Sequence, residues 1–205
     1  MNETRIFAFC GVDGAGKSTL VDTLERRGLV PNAVFVRRPK PELGNSALLR
    51  RYFRRQFNDG RDWISGPFAE AIGVALAFEF LDHYDRNVAP LLGAHSVIVS
   101  DRYALCFEAY LWSIRSQAGA GALFRSIQPP THTFYVHVNR TELVNRQCQR
   151  GGVQDDENPE VMQRFDTAYR ELLASSGLPH SFIDNNGALD DSVAAIERQL
   201  REVSR

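Results

Sequence analysis

The feature that most constrains this chain is the segment at residues 11–19, which satisfies the pattern G-x-x-x-x-G-K-[ST]. The apolar run at residues 6–10 before it predicts a buried strand. The run after it, with Leu20 and Leu24 on one face, predicts a helix. A strand, a glycine-rich loop and a helix N-terminus together form a phosphate cradle, because backbone N–H groups and the helix dipole converge on an anion. The segment therefore predicts binding of a nucleoside triphosphate.

Each residue type in this loop suits such a cradle. Lys17 would reach the β- and γ-phosphates of ATP, and the Ser18 hydroxyl would bind Mg²⁺. Lysine is rare in this chain, which uses arginine almost everywhere, and a compact ammonium fits between phosphates where a guanidinium is too wide. The predicted nucleotide-binding residues are Gly11, Asp13, Gly14, Ala15, Gly16, Lys17, Ser18 and Thr19.

Length and composition predict one domain spanning residues 1–205, without a nucleic-acid or membrane partner. The formal net charge of −1 gives no overall field that would attract nucleic acid or an anionic membrane. The longest apolar-rich region, residues 68–81, contains Glu70 and Glu79 and is not expected to span a bilayer. No signal peptide is expected, and three widely spaced cysteines favour reduced thiols over a metal site. We therefore expect a cytoplasmic protein.

Strand-like and helix-like segments alternate along the whole chain. Strands are predicted at residues 6–10, 34–36, 96–100, 133–138 and 180–183. After the helix of the glycine-rich loop, further helices are predicted at 43–57, 67–88, 105–117, 141–149 (with Thr141 as the cap), 159–174 and 189–203. Apolar strands between helices predict a five-stranded parallel sheet covered on both faces, the α/β architecture of a P-loop NTPase. The polar, acidic stretch at 151–159 predicts a mobile loop, part of a small lid at about 146–158.

A second charged motif, Asp101-Arg102, follows the third predicted strand directly. Ligands of open parallel sheets bind at the carboxyl ends of the strands, so this pair and the glycine-rich loop should open into one cleft. Asp101 could hold Mg²⁺, and Arg102 could bind a phosphate in a bidentate manner. The simpler alternative is that Asp101 only caps the next helix.

Taken together, these motifs resemble the thymidylate kinase family along nearly the whole chain. The matching features are the loop at 11–19, an Arg-Pro pair at 38–39, Pro90, Asp101-Arg102-Tyr103, Ala109-Tyr110, Arg146, Arg150-Gly151, the acidic stretch ending at Glu157, Phe165, Tyr169, Ile183-Asp184 and residues 190–193. The resemblance implies a kinase that uses ATP and Mg²⁺. In such a kinase Asp13 would face a sugar hydroxyl of the acceptor, and Arg102 would grip the acceptor's phosphate. Arg146 and Arg150 would close over the transferring phosphoryl group.

The departures from the family fall mainly on the side that would bind the acceptor. Cys10 stands where the family usually has Glu, and Arg38 replaces the Glu of its Arg-Glu-Pro segment. The arginine that contacts thymine has no counterpart near residues 78–81, and Leu111 replaces a glutamine. These differences predict an acceptor related to dTMP but not necessarily dTMP, such as another nucleoside monophosphate or a phosphorylated metabolite. The candidate acceptor contacts are Arg38, Arg102, Glu79, Phe80, Phe107 and Glu108.

Two other functions remain open at this stage. A kinase of an unphosphorylated nucleoside or sugar-like hydroxyl would use Asp13 or Glu108 as the base. A regulatory P-loop NTPase would act as a switch, although the chain has no N-K-x-D guanine-reading motif. A homodimer is also compatible with the sequence.

Overall fold

The protein is an α/β structure built on one five-stranded parallel sheet. The computed structural model describes residues 3–38, 44–56, 69–116, 123–149 and 159–203. The strands are β1 (Arg5–Cys10), β2 (Ala33–Val36), β3 (Val97–Asp101), β4 (His132–His137) and β5 (His180–Asp184), in the spatial order β2-β3-β1-β4-β5. Each predicted strand is therefore confirmed to within one or two residues at its ends.

Helices alternate with these strands. They are α1 (Lys17–Arg26), α2 (Asn45–Gln56), α3 (Ala69–Asn87), α4 (Ala104–Ser113), α5 (Arg140–Gln149), α6 (Pro159–Ser176) and α7 (Leu189–Val203), with a short 3₁₀ turn at Ala89–Leu91. In the part of the chain described, no helix is both long and apolar enough to cross a membrane.

The alternating side chains of β1 divide the core into two layers, one on each face of the sheet. Phe7 and Phe9 pack in one cluster with residues of α1, α6 and α7, whereas Ile6 and Ala8 pack in the other with residues of α3. All four side chains are at most 1 % exposed. A strand buried on both faces is typical of a parallel sheet covered by helices, as the sequence predicted.

Two of the predicted helix ends differ from the structure for a reason that the local geometry shows. Thr141 was expected to cap α5, but the helix begins at Arg140, and the cap is the Asn139 side chain, which accepts a 2.9 Å hydrogen bond from the Glu142 amide. Asn is as good a cap as Thr, and the choice between neighbouring capping residues depends on where the strand ends. Helix α4 stops at Ser113 instead of continuing to about residue 117, because Arg115 adopts a left-handed backbone with φ 54°.

Candidate active site

The glycine-rich loop leaves the carboxyl end of the central strand and is shaped by its neighbours. At Gly11, φ is 139°, and a Cβ atom would lie 2.3 Å from the carbonyl oxygen of Val136 on β4. Only glycine fits that close approach. The loop therefore begins in close contact with β4, and this contact constrains its backbone before α1 begins.

The loop ends at Gly16, which begins α1 in a left-handed conformation with φ 90°. No side chain caps this helix, so its first amides are not taken up by a side-chain acceptor. Uncapped amides and the helix dipole create positive potential at this point. The geometry therefore suits a phosphate group at the start of α1.

Lys17 lies buried at the base of the loop, with 5 % of its surface exposed. Its ammonium donates a 2.7 Å hydrogen bond to the carbonyl oxygen of Val12. Burial and the nearby Arg102 charge lower the pKa of Lys17 to about 8, although the Asp13 carboxylate acts in the opposite direction. A partly desolvated ammonium of this kind is well placed to be neutralised by an anionic ligand.

Ser18 joins the loop to Asp101 at the end of β3. The Ser18 hydroxyl donates a 2.6 Å hydrogen bond to Oδ2 of Asp101, whose exposure is only 2 %. The other carboxylate oxygen, Oδ1, is buried and has no hydrogen-bond partner within the described part of the chain. Hydroxyl and carboxylate oxygens are the ligands that Mg²⁺ prefers, and Mg²⁺ usually takes few protein ligands together with phosphates and water. These two residues fit a Mg²⁺–nucleotide site.

Asp13 and Arg102 form an ion pair across the mouth of the site, with the Arg102 guanidinium donating to the Asp13 carboxylate. Burial alone would raise the pKa of Asp13, but the charges of Arg102, Lys17 and Arg38 outweigh it and hold the pKa well below its usual range. Burial would lower the pKa of Arg102, and the Asp13 carboxylate raises it above its usual value. Both groups are therefore charged at any physiological pH.

The backbone of Arg102 is held in an unusual conformation. Its φ is 76°, in the left-handed region that arginine rarely adopts. The Arg102 amide donates a 3.0 Å hydrogen bond to the Phe9 carbonyl, and the Ser100 hydroxyl donates a 2.7 Å bond to the Arg102 carbonyl. Residues held in such conformations by their surroundings concentrate at functional sites. These bonds aim the guanidinium toward the glycine-rich loop.

Arg146, on α5, contacts the glycine-rich loop and the segment after β5. Its guanidinium donates to the carboxylate of Glu142 at 2.6 Å, to the Asn185 carbonyl at 2.5 Å and to the Ala15 carbonyl at 3.3 Å. Arg150 and the expected lid after Gln149 fall within residues 150–158, which lie outside the described part of the chain. Their expected roles therefore remain predictions.

Two candidate acceptor residues occupy other positions than expected. Glu79 caps the start of α2, since its carboxylate accepts bonds of 2.6 and 2.7 Å from the amide and hydroxyl of Ser46. Phe80 is 1 % exposed and belongs to the core, where it packs edge-on against Tyr103. Both expectations came from the resemblance to the family's thymine-contacting segment near residues 78–81, and helix α3 turns these side chains toward α2 and the core instead.

The remaining acceptor candidates differ in burial and surroundings. Phe107 is half-buried and stacks on Phe80, with ring centroids 4.6 Å apart. Glu108 is also half-buried, and burial raises the pKa of its carboxyl group. Arg38 is exposed, and its charge contributes to the low pKa of Asp13. The structure thus brings together Asp13, Lys17, Ser18, Asp101 and Arg102, whereas Phe80 and Phe107 pack against each other.

The sequence reasoning missed Asn185, which contacts the loop directly. Its side-chain amide donates a 2.7 Å hydrogen bond to the Ala15 carbonyl. The available signal was a polar residue directly after the last strand, at the same carboxyl edge of the sheet as the loop.

Comparison with known proteins extends over almost the full chain. A probable thymidylate kinase from Methanocorpusculum labreanum is 27 % identical, covering 95 % of this chain and 96 % of that protein. A thymidylate kinase from Ruegeria pomeroyi is 28 % identical, covering 95 % and 93 %. No protein-family model matches the chain.

Among solved structures, a thymidylate kinase from Candida albicans superposes with a TM-score of 0.70. The match covers 98 % of this chain and 92 % of that structure at 14 % sequence identity, which supports the shared P-loop NTPase fold. The sequence similarities and the shared fold agree over nearly the whole length. The chain is therefore similar to thymidylate kinases in both sequence and fold, which supports a thymidylate kinase-like family.

Proposed function

We propose that this protein is an ATP-dependent kinase that transfers the γ-phosphoryl group to a nucleoside monophosphate. The observation that carries the proposal is the Asp13–Arg102 pair beside the buried Lys17 and the Ser18–Asp101 hydrogen bond. One cluster thus offers a cradle for the phosphates of ATP and a separate guanidinium for a second anion. The relatives named thymidylate kinase support the same class of reaction.

Phosphoryl transfer depends on alignment and on cations around the equatorial oxygens of the transferred group. Lys17 supplies one such cation from below the loop. Ser18 and Asp101 would hold Mg²⁺, which when bound neutralises charge on the β- and γ-phosphates. Arg146 adds a third positive charge next to Ala15. Arg150, on the expected lid, is proposed to add a fourth when the lid closes.

On the acceptor side, Arg102 is the residue best suited to a phosphate. A guanidinium binds phosphate in a bidentate manner, and this one is preset by its backbone bonds to Phe9 and Ser100. In the structure Asp13 neutralises it. An acceptor phosphate would replace the Asp13 carboxylate on Arg102 and free Asp13 to accept a hydrogen bond from the acceptor's sugar hydroxyl.

The base side of the acceptor differs from what thymine needs. Thymine is read by directed hydrogen bonds, and the side chains of Phe107, Phe80 and Leu111 cannot make them. Phe80 on α3 and Leu111 on α4 are each 1 % exposed. Glu108, also on α4, is a half-buried polar residue. We therefore propose an acceptor related to dTMP but not necessarily dTMP, with Glu108 accepting a hydrogen bond from its ring.

The test is ADP release from ATP in the presence of a panel of acceptors. The panel contains dTMP, the other nucleoside monophosphates, unphosphorylated nucleosides and a phosphorylated sugar. We expect a nucleoside monophosphate other than dTMP to give the highest kcat/KM. A kcat/KM for dTMP of about 10⁴ M⁻¹s⁻¹ or more would instead indicate an ordinary thymidylate kinase and contradict the altered acceptor. Turnover of unphosphorylated nucleosides alone would contradict the role of Arg102.

A further inference from the structure

Asn185, immediately after β5, connects four segments of the protein around the glycine-rich loop. It is 4 % exposed. Its backbone amide donates to the His137 carbonyl at 2.9 Å, and its backbone carbonyl accepts from Arg146 at 2.5 Å. Its side chain accepts from the Ser192 hydroxyl at 2.8 Å and donates to the Ala15 carbonyl at 2.7 Å. Both ends of the side-chain amide are therefore occupied.

The orientation of this amide follows from the chemistry of its partners. A carbonyl oxygen can only accept a hydrogen bond, so the nitrogen of Asn185 must face Ala15. The Ser192 hydroxyl, on α7, lies 2.8 Å from this side-chain oxygen and 3.0 Å from the Asp184 carbonyl, so its one proton is shared between the two acceptors and restrains the amide from rotating. The side chain is too deeply buried for water to substitute easily for either bond.

The bond to Ala15 controls the next peptide group in the loop. A peptide bond is planar and trans, so its carbonyl oxygen and the following N–H point in opposite directions. Asn185 and Arg146 hold the Ala15 oxygen on the β5 side, which turns the Gly16 N–H toward the cradle. The fit is tight, because a Cβ atom on Gly16 would lie 2.5 Å from the Asn185 amide nitrogen.

We infer that Asn185 is a positioning residue for nucleotide binding: it presets the Ala15–Gly16 peptide so that Gly16 donates to a nucleotide phosphate. Ser192 supports it from α7. The inference rests on the proposed function only in taking an adenine nucleotide as the ligand. It assigns to the loop after β5 a direct role in shaping the phosphate cradle.

The experiment compares ADP binding by the wild type, Asn185→Ala and Asn186→Ala, measured by calorimetric titration with Mg²⁺ present. Asn186 is the matched control, because it is the same residue type in the same loop but hydrogen-bonds to Asn139 and Asp184. We expect Asn185→Ala to raise the Kd for ADP at least tenfold. Its KM for ATP should rise in parallel, while the KM for the acceptor stays unchanged. The control should bind ADP as the wild type does.

Ser192→Ala tests the same inference without removing the Ala15 contact itself, and it decides the matter if Asn185→Ala does not fold. We expect a smaller increase, about threefold, in its Kd for ADP. Wild-type affinity in a folded Asn185→Ala protein, or in Ser192→Ala where the first variant fails to fold, would overturn the positioning role. An equal rise in the KM of ATP and acceptor would also overturn it. A wild type that binds no ADP would instead overturn the proposed function, and the inference with it.

Discussion

The phosphate side and the acceptor side of this site are built in different ways. On the phosphate side, charged and polar groups converge on one loop: Lys17 is buried beneath it, Ser18 binds Asp101, and Asn185 holds Ala15. On the acceptor side, Phe80 and Leu111 belong to the core, and Glu79 is used as a helix cap. This contrast is what the proposed function expects of a kinase whose phosphate chemistry is kept and whose acceptor differs from dTMP.

The two sides should also differ in how well they tolerate substitution. The phosphate side uses backbone atoms and buried charges, which other residues cannot imitate without leaving a desolvated group unpaired. The acceptor side uses apolar packing, in which side chains of similar volume can replace one another.

Lys17→Ala should have the largest effect. The loop loses a buried ammonium that stabilises charge on the transferring phosphoryl group. Removal of a comparable electrostatic stabiliser costs about 3 kcal/mol, or about a hundredfold in kcat. Circular dichroism and thermal unfolding should show an intact fold. Near-normal turnover by the purified variant would contradict the assignment of the phosphate side.

Arg102→Ala should raise the KM for the acceptor by roughly ten- to a hundredfold, because one charge-assisted contact of about 1.5–3 kcal/mol is lost. Alanine keeps the Cβ atom, so the backbone strain at φ 76° is unchanged and does not confuse the result. Arg86→Ala is the control, since Arg86 pairs with Asp82 on the exposed side of α3. An unchanged acceptor KM would favour an acceptor without a phosphate.

The pH dependence should report Lys17. Because the pKa of this buried ammonium is lowered to about 8, the charged form that binds phosphate is lost as pH rises through that value. We expect kcat/KM for ATP, which reflects the free enzyme, to fall up to about tenfold per pH unit above about 8. The value of kcat should stay level to higher pH, because bound phosphates favour the charged form. A flat kcat/KM profile to pH 10 would show that Lys17 stays fully charged.

Glu79→Gln should have the smallest effect and should act on stability alone. Its carboxylate caps α2 through Ser46, and loss of a cap costs about 1 kcal/mol in the free energy of unfolding. Urea denaturation measures this change, with Asp82→Asn on the exposed face of α3 as the control. We expect the acceptor KM to remain as in the wild type. A large change in acceptor KM would indicate that Glu79 contacts the acceptor after all.

The part of the site that the sequence could predict is the part encoded locally. A glycine-rich loop between a strand and a helix, and an Asp-Arg pair after another strand, each predict a position at the carboxyl edge of the sheet. Five apolar strands between helices likewise predicted the fold, which the structure and its relatives confirm. These signals need no knowledge of distant contacts.

What the sequence could not supply depends on contacts between distant segments. The rotation of α3 decides whether Glu79 faces the acceptor or caps α2, and a shift of one residue along a helix turns a side chain by about 100°. Asn185 meets Ala15 across 170 residues of chain. Only the assembled sheet reveals that contact, since no local pattern distinguishes a buried asparagine in a loop from an exposed one.

The strand order has a consequence for how this protein is made. The first strand in the chain is the central strand of the sheet, and both of its partners, β3 and β4, come much later in the sequence. During synthesis from the N-terminus, the apolar segment Ile-Phe-Ala-Phe-Cys therefore emerges with both of its edges unpaired. Unpaired apolar strands are sites of aggregation. The segment that carries the nucleotide loop is thus also the one that most needs protection in the nascent chain.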